Sequence, residues 1–421
     1  MSSIENKQVA TIQRPEQYAR GDILSGPEAE ARKSTQGRRL VKEWVSTLGK
    51  DSIFNLTGLV RAFPLDPEDL PSLENQFTFY THFLGRAEEL ALKYTGANPR
   101  QHSAVMCNRV TSAMLAVMLG TLERGDRVLS LVGKGRSHPS VQQAVELVGA
   151  TFHEVQGLEA LEQGVSDGPW KMLVITPLTP SKYHIPVADV RRAIALAKER
   201  DTLVFVDDAH MMSRSIFYEE PVTFDIGDVD LSVWSLDKHV PGPRGAAIVG
   251  QQALMDRISA QAFQFGLEAQ SGHYVAMVRG MEAFDPEPVR QAGSLARELF
   301  KRFRGRFGDR VYQAGPGVAL SAEDFAEVVF ERAGSRQTSL VASEISISGS
   351  FLLFKHHGAI TIPITGYPGA APTFRLMMHP DGARFGIQRL EEAVEETVAL
   401  TVDHLQKPEA VRELLLGEAL S

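Results

Sequence analysis

The sequence contains very little cysteine: Cys107 is the single one among 421 residues. That scarcity excludes an intrachain disulfide framework and a zinc site built from paired thiolates, and it fits a reducing, cytoplasmic location. Long apolar runs are also missing, because the longest apolar helical stretch, residues 111–122, is too short to cross a bilayer. We therefore expect no membrane span, and the polar first forty residues predict no secretory signal.

An excess of positive charge is the third feature that the sequence lacks. Lys and Arg number 44 against 52 Asp and Glu, which gives a formal net charge of −8. The chain therefore has no global field that attracts nucleic acid or an anionic membrane surface, and we expect a small-molecule partner instead. His356, His357 and His379 lack the spacing of a helical metal-binding pair, so we predict no metal site.

Between residues 104 and 250 the chain alternates short apolar runs with amphipathic stretches of helical period, which is typical of an α/β fold. The predicted strands are residues 104–107, 128–132, 172–176, 203–206, 231–236 and 246–249. Several have no polar alternation, which indicates strands that are buried on both faces. We predict a mostly parallel central sheet with helices on both faces, in which ligands bind beyond the carboxyl ends of the strands.

The C-terminal part differs and predicts a smaller α+β domain. It contains a charged helical stretch at 281–307, strand-like runs at 327–330 and 359–363, and an amphipathic helix at 387–405. Because 421 residues exceed what one average core needs, we divide the chain in three. We expect residues 1–60 to pack on the small domain or on a partner subunit, residues 61–285 to form the large domain, and residues 286–421 to form the small domain.

A lysine follows the predicted strand at 231–236. That strand leads through Ser235 and Asp237 to Lys238, and then into a Gly/Pro turn. Desolvation at such a place disfavours the ammonium form, which lowers the pKa and leaves a free amine that can form a Schiff base with an aldehyde. The alternative is a lysine that extends to the surface and pairs with Asp237.

Two carboxylates, Asp207 and Asp208, follow the preceding strand. Adjacent side chains on an extended segment point to opposite faces, and Asp207 continues the inward parity of Leu203 and Phe205. A buried carboxylate needs a cationic partner, which the pyridinium nitrogen of pyridoxal phosphate would supply. The alternative is a carboxylate that pairs with Arg214 or caps the following turn. Because both strands belong to one sheet, we expect Asp207 and Lys238 at the same edge.

The segment 104–112 runs from a strand into a helix that begins near Val110. Backbone N–H groups at that helix start, with the hydroxyls of Thr111 and Ser112, could hold a phosphate dianion. Plain N-capping by Asn108 or Thr111 is the alternative. His138 follows the next strand in a loop, where it is placed to lie flat on a planar ring, and a solvated loop histidine is the alternative there.

The order of these residues resembles that of fold-type I pyridoxal phosphate enzymes, over about residues 77–250. The resemblance implies that Lys238 is the Schiff-base lysine and Asp207 the partner of the pyridine nitrogen. It also implies that His210 approaches the ring O3′ and that His138 stacks on the ring. Ser235, Thr111 and Ser112 are implied to bind the phosphate, and Asn108 is expected among the residues that bind the cofactor.

A finer resemblance concerns the lysine segment. Residues 237–250 look like the lysine segment of the selenocysteine synthase (seryl-tRNA selenium transferase) group and its ammonia-lyase relatives, and residues 53–60 are similar to that group's Asn-Thr-Gly stretch. The acidic balance and the lack of a basic, aromatic-interleaved region argue against tRNA binding. We therefore expect the cofactor chemistry without a nucleic-acid partner. The Asp207-Asp-Ala-His210 spacing also resembles the α-oxoamine synthases.

Arg375 lies in an apolar strand of the predicted small domain, where it must find an anion. In related folds an arginine so placed holds the substrate α-carboxylate, and a salt bridge to a glutamate of the same domain is the alternative. We expect a homodimer or a higher homo-oligomer, because enzymes of this fold usually complete each site with residues of the neighbouring chain, and residues 264–274 are a candidate for that contribution.

The sequence therefore predicts an enzyme that uses pyridoxal phosphate on an amino-acid substrate. We favour a lyase that eliminates a β substituent or cleaves a carbon–carbon bond, with Lys238 as the base at Cα. An aminotransferase or an α-oxoamine-synthase-like transferase would use the same residues. A non-catalytic binding protein on the same scaffold is an alternative of a different class.

Overall fold

The structure is a computed structural model, which describes residues 18–366 and 368–417. The N-terminal part contains α1 (Pro27–Leu48), β1 (Phe54–Asn55), α2 (Leu70–Leu73) and α3 (Gln76–Thr95). The central part contains β2 (His102–Cys107), α4 (Val110–Thr121), β3 (Arg127–Val132), α5 (Pro139–Val148), β4 (Thr151–Gln156), α6 (Gly157–Gly164), β5 (Met172–Thr176), α7 (Val187–Lys198), β6 (Leu203–Asp207), α8 (Met211–Phe217), α9 (Thr223–Ile226), β7 (Leu231–Ser235), β8 (Ala246–Gln251), α10 (Gln252–Gln264) and α11 (Ser271–Glu282).

The C-terminal part contains α12 (Glu287–Phe307), β9 (Val311–Gln313), β10 (Gly317–Leu320), α13 (Ala322–Ala333), α14 (Ala342–His357), β11 (Ala359–Ile360), α15 (Ile362–Thr365), β12 (Phe374–Met377), α16 (Gly382–Phe385), α17 (Ile387–His404) and α18 (Pro408–Leu416). Among the helices of the described ranges, none combines the length and the apolar character that a bilayer span requires.

The central sheet has the strand order β2-β8-β7-β6-β5-β3-β4. β8 runs antiparallel to β2 and β7, and the other neighbouring strands are parallel. The predicted mostly parallel sheet is therefore confirmed. The prediction missed β4, an edge strand whose sequence Thr-Phe-His-Glu-Val-Gln contains no apolar run. An edge strand is covered less completely than a central one, so it gives a weaker apolar signal.

Helices cover both faces of this sheet. Along β5, Met172 and Val174 pack into one core with α4, α5 and α10. Leu173 and Ile175 point to the opposite face, where they pack with α6 and α7. Because successive side chains of a strand alternate between the two faces, a strand covered on both sides must be apolar throughout. This packing explains the unbroken apolar runs, and it leaves the carboxyl ends of the strands as the place for polar side chains.

The C-terminal domain is built on the antiparallel sheet β12-β10-β9, with a core shared by α12, α13, α14 and α17. The prediction of a strand at 327–330 is wrong, because these residues lie within α13. The Ser321 side chain accepts a hydrogen bond from the backbone N–H of Asp324 and caps this helix, while Gly334 ends it in the left-handed conformation. The charged stretch at 281–307 is divided, because α11 ends at Glu282 and α12 begins at Glu287.

The N-terminal segment packs on the C-terminal domain. α1 contacts α15 and α18, and β1 pairs in parallel with β11. Phe54 and Leu56 belong to the same hydrophobic core as the C-terminal helices. The domain boundaries at residues 60 and 285 stay a prediction.

Candidate active site

A cavity of about 1070 Å³ of empty space, part of it open to solvent, lies at the carboxyl edge of the central sheet. Both domains line it. Its polar lining residues from the first 250 positions are Arg61, Arg109, Thr111, His138, Thr176, Asp207, His210, Ser235, Asp237, Lys238 and Arg244. The C-terminal domain contributes Ile362, Gly366, Ala370, Ala371, Thr373 and Arg375. Most of the side chains that the sequence indicated therefore lie around one space.

Lys238 lies in the connection between β7 and β8. The backbone N–H of Leu236 donates to the carbonyl of Gly245 at 2.9 Å, which closes this connection. The backbone of Lys238 pairs with that of Leu59, so the N-terminal segment fixes it from the other side. The side chain is partly buried and lines the cavity. Burial lowers the pKa of Lys238, while Asp237 and Asp207 act in the opposite direction.

Asp207 and Asp208 face opposite ways, as the alternation of a strand requires. Asp207 lines the cavity, is 3% exposed, and has its pKa raised to about 6 by burial, against the effect of Lys238. Asp208 accepts two hydrogen bonds from Arg214, at 2.6 and 3.1 Å, and one from the Thr223 hydroxyl at 2.7 Å. Arg214, which was the alternative partner of Asp207, therefore pairs with Asp208 instead.

Two histidines on different elements line the cavity. Nδ1 of His138 accepts the backbone N–H of Ser140 at 3.1 Å and so caps α5. Burial, with Lys238 and Arg109 adding to it, lowers the pKa of His138 to about 3, and the imidazole is neutral. His210 precedes α8, and its Nδ1 lies 2.5 Å from Nζ of Lys182. Burial lowers the pKa of His210 well below its ordinary value.

The start of α4 faces the same cavity. Arg109 occupies the cap position without a side-chain cap hydrogen bond, so the first N–H groups of the helix have no side-chain partner at the cap. Arg109, Val110 and Thr111 line the cavity, whereas Asn108 and Ser112 do not. Ser235 lines it as well and donates to Oδ1 of Asp237 at 2.8 Å.

Arg375 lies in β12 opposite Ala319 of β10. Its side chain is buried, lines the cavity and donates from Nη1 to the carbonyl of Pro180. The arginine therefore reaches from the C-terminal domain to the loop that follows β5. Its role toward a substrate carboxylate stays a prediction.

Sequence reasoning missed the arginines Arg61, Arg109 and Arg244, and it missed Lys182. Arg61 Nε lies 3.4 Å from Oδ2 of Asp237. Arg61, Arg109 and Arg244 line the same cavity, and burial together with the charges of Arg61 and Arg109 lowers the pKa of Arg244. Arg109 follows the predicted strand at 104–107 by two residues, as Lys238 follows the one at 231–236, so the same pattern could have found it. Arg61, Lys182 and Arg244 do not follow a predicted strand so closely, and the pattern could not find them.

A local signal for Arg61 does exist in the turn that precedes it. The Asn55 side chain donates to the carbonyl of Leu59 at 2.7 Å and accepts the Thr57 hydroxyl at 2.6 Å. Gly58 adopts φ +76°, which a side chain would strain. The Asn-Leu-Thr-Gly turn thus directs the following residues to the lysine segment, where Val60 N–H donates to Asp237 O at 2.8 Å.

No metal centre accompanies this site: residues 18–366 and 368–417 contain no group of three or more His, Cys, Asp or Glu side chains placed to hold an ion. The cavity is instead rich in fixed positive charge. Its cationic lining residues are Arg61, Arg109, Lys238, Arg244 and Arg375, and its carboxylates are Asp207 and Asp237. This balance favours an anionic ligand.

The fold is shared with several solved structures, one of which holds pyridoxal phosphate. A serine palmitoyltransferase from S. paucimobilis with a bound PLP–myriocin aldimine matches 87% of this chain and 84% of its own, with a TM-score of 0.57 and 14% identity. Ureidoglycine-glyoxylate aminotransferase from Bacillus subtilis matches 86% and 96%, with a TM-score of 0.53 and 14% identity. A SepCysS–SepCysE complex matches 84% and 96%, with a TM-score of 0.57 and 13% identity. The chain therefore has the fold of fold-type I pyridoxal phosphate enzymes, as its sequence pattern predicted.

No protein-family model matches the chain. A UPF0425 pyridoxal phosphate-dependent protein of Methanothermobacter thermautotrophicus is 31% identical over 397 residues, which are 94% of this chain and 100% of the relative. A second one, from Methanosphaera stadtmanae, is 30% identical over 89% of this chain and 95% of its own length. The chain belongs to the UPF0425 family of pyridoxal phosphate-dependent proteins.

The two neighbouring aspartates should respond oppositely to loss of charge. In the cofactor-free protein, the pKa of Asp207 lies above that of an unfolded aspartate, so its ionisation lowers stability as the pH rises from about 4 to about 6. Asp207→Asn should therefore raise the free energy of unfolding at pH 7.5, by on the order of 2 kcal/mol, and the gain should fade as the pH falls to 4. Urea denaturation of the cofactor-free protein measures this difference.

Asp208→Asn is the matched control. It removes the closer of the two carboxylates that pair with the buried Arg214, leaving Glu220 at 3.4 Å, and should lower the free energy of unfolding by about 3 kcal/mol. Equal destabilisation by both substitutions would contradict the assignment of Asp207 to the cavity and of Asp208 to the framework.

Proposed function

We propose that this protein is a pyridoxal phosphate-dependent lyase that acts on an amino acid, by elimination of a β substituent or cleavage of the Cα–Cβ bond. The observation that carries the proposal is the arrangement of Lys238, Asp207 and His138 around one cavity. They supply an amine, a carboxylate and a neutral imidazole at three different strand ends. Membership of a family of pyridoxal phosphate-dependent proteins supports it independently.

The residues of the cavity fit the cofactor by their chemistry. Lys238 would bind its aldehyde, Asp207 would pair with its ring nitrogen, and His138 and His210 would contact its ring and O3′. The start of α4 with Thr111 and Ser235 would hold its phosphate, for which the nearby guanidinium groups provide positive charge. When bound, pyridoxal phosphate supplies an electron-withdrawing ring that stabilises negative charge at the substrate Cα.

Asp207 is suited to pair with a cation, because burial raises its pKa although Lys238 lies nearby. Its raised pKa reflects a buried carboxylate that Lys238 only partly compensates. A pyridinium nitrogen placed beside it would form a charged pair and remove this desolvation cost. Asp207 would thereby keep the ring nitrogen protonated.

Lys238 and Arg375 would contact the substrate from two sides of the cavity, at Cα and at its carboxylate. The planar guanidinium of Arg375 matches a carboxylate at two points, which would fix the orientation of the bonds at Cα. The Lys238 amine, whose pKa burial lowers, would remove or return a proton at Cα. Both groups line the same cavity, from different domains.

The choice of a lyase rests on the likeness of residues 237–250 to the lysine segment of selenocysteine synthases and their ammonia-lyase relatives. An aminotransferase is the second candidate, because ureidoglycine-glyoxylate aminotransferase shares the fold over 86% of this chain. The two reactions differ in whether the cofactor must be restored by a second substrate. A homodimeric assembly belongs to the same proposal and is to be tested by sedimentation.

The attachment of the cofactor to Lys238 can be tested by absorbance. The protein mixed with pyridoxal phosphate should show a visible band that disappears on borohydride treatment, and Lys238→Ala should show no such band. Lys198→Ala serves as the control, because that lysine pairs with Asp230 away from the cavity. A band in Lys238→Ala that borohydride still fixes to the chain would contradict the assignment.

Incubation of the loaded protein with a panel of amino acids, without any keto acid, separates the two reactions. A lyase should release ammonia or a carbon fragment over many turnovers. An aminotransferase should stop after one half-reaction, with its cofactor held in the amine form. That single stoichiometric conversion would overturn the lyase proposal and leave the cofactor site standing.

Arg375→Lys should raise KM for the amino-acid substrate by about 10- to 100-fold, since it replaces a two-point contact with a point charge. Arg332→Lys, on the exposed face of the same domain, is the control and should leave KM unchanged. Steady-state kinetics decides the matter, and an unaltered KM in Arg375→Lys would refute its carboxylate role.

A further inference from the structure

A second buried lysine lies beside the cavity. Lys182 is 3% exposed, and its Nζ lies 2.5 Å from Nδ1 of His210, which is a lining residue. Lys182 itself does not line the cavity. It can therefore influence a bound molecule through the imidazole of His210, and it has no role in the proposed function.

The loop between β5 and α7 fixes the position of Lys182. The backbone N–H of Lys182 donates to the carbonyl of Thr179 at 2.8 Å, and its φ of +70° is a conformation that non-glycine residues rarely adopt. The C-terminal domain holds the same loop at two carbonyls. The Tyr312 hydroxyl donates to Ser181 at 2.8 Å, and Arg375 donates to Pro180. The lysine is thus held in place from both domains.

The groups around the Lys182–His210 pair are the cations Arg375 and Lys238 and the imidazole of His239. Burial lowers the pKa of Lys182, and the positive charges of Arg375 and Lys238 act in the same direction. His239 also adjoins the pair, with its Nε2 2.6 Å from the Ser213 hydroxyl and its Nδ1 3.3 Å from Nδ1 of His379. Within the described part of the chain, no carboxylate forms an ion pair with Lys182.

The partner of one imidazole nitrogen decides which nitrogen carries the proton. A carboxylate at Nδ1 would accept a hydrogen bond and fix the Nδ1–H form, with Nε2 as an acceptor. An ammonium group can only donate, whereas a neutral amine can either donate to Nδ1 or accept from it, so the ammonium form is the one that fixes the direction. An anionic ligand in the cavity favours the ammonium form of Lys182 and therefore strengthens this direction.

We propose that Lys182 is a positioning residue that donates to Nδ1 of His210 and thereby holds the imidazole in its Nε2–H form, as a neutral hydrogen-bond donor toward an anionic oxygen in the cavity. Nε2 makes no hydrogen bond to any residue of the described ranges, so it is available for a ligand. Under the proposed function, on which this role rests, that oxygen is the phenolic O3′ of pyridoxal phosphate.

Imidazole tautomers are read from long-range ¹H–¹⁵N spectra of the full chain with ¹⁵N-labelled histidine. The His210 signals are assigned by their loss in His210→Gln. At a mildly acidic pH, which favours the ammonium form of Lys182 while the lowered pKa of His210 keeps its imidazole neutral, we expect the Nε2–H form in the wild type, both without and with pyridoxal phosphate. An Nδ1–H form in the wild type would overturn the proposal. Because the cofactor-free spectrum already decides this question, failure of the protein to bind the cofactor would count against the proposed function alone.

The matched variants are Lys182→Gln and Lys182→Glu, which have nearly the same shape. The glutamine amide can still donate to Nδ1 and should keep the Nε2–H form. The carboxylate can only accept and should convert His210 to the Nδ1–H form. Retention of the Nε2–H form in a folded Lys182→Glu protein would refute the proposal. If this variant does not fold, loss of the preference for Nε2–H in Lys182→Met supports it, and an unchanged preference refutes it.

A spectroscopic titration of the loaded protein gives a second measurement. Loss of a donor to O3′ should let the visible band persist to higher pH, so Lys182→Glu should shift its midpoint upward by about one pH unit. Lys134→Glu is the charge-matched control, because Lys134 is exposed over the Tyr183 ring and does not line the cavity. Equal shifts in the two variants would show an effect of charge alone and would contradict the hydrogen-bond role.

Discussion

The site depends on the desolvation of ionisable groups at the carboxyl edge of the central sheet. Lys238 and Asp207 lie where β7 and β6 end. Burial lowers the pKa of Lys238 and raises that of Asp207, so it favours the neutral form of each. The sheet provides this environment because its central strands are apolar on both faces and its helices leave only the strand ends open. The same burial that stabilises the framework thus prepares an amine and a carboxylate for a ligand.

Of the two adjacent aspartates, Asp208 contributes to the stability of the fold and Asp207 is available to a ligand. The alternation of β6 places adjacent carboxylates on opposite faces, where one is satisfied by Arg214 and Thr223 and the other faces the cavity. A satisfied carboxylate stabilises the folded chain, whereas an unsatisfied one costs stability until a cation arrives. The neighbouring residues differ in role because their partners differ.

Strand ends were predictable from the sequence, and contacts between distant segments were not. The apolar runs before Asp207 and Lys238 identified both residues, and strand alternation selected Asp207 over Asp208. The edge strand β4 was missed because it contains no apolar run. Part of the helix α13 was mistaken for a strand, because a short apolar pattern does not distinguish a strand from one face of a helix. Arg61 and Arg244 enter the cavity through turns, which have no periodic signal that places a side chain in space.

Lys182 is the clearest example of a residue whose position could not be predicted from the sequence, because nothing in residues 177–186 predicts a buried amine. Its position results from a loop that the C-terminal domain holds through Tyr312 and Arg375, more than a hundred residues away in sequence. Arg375 contacts this loop and lines the cavity at once, so the same side chain connects the small domain to the lysine that contacts His210. The hydrogen-bonding state of His210 is therefore a property of the packed domains together, and the local sequence around it does not contain that information.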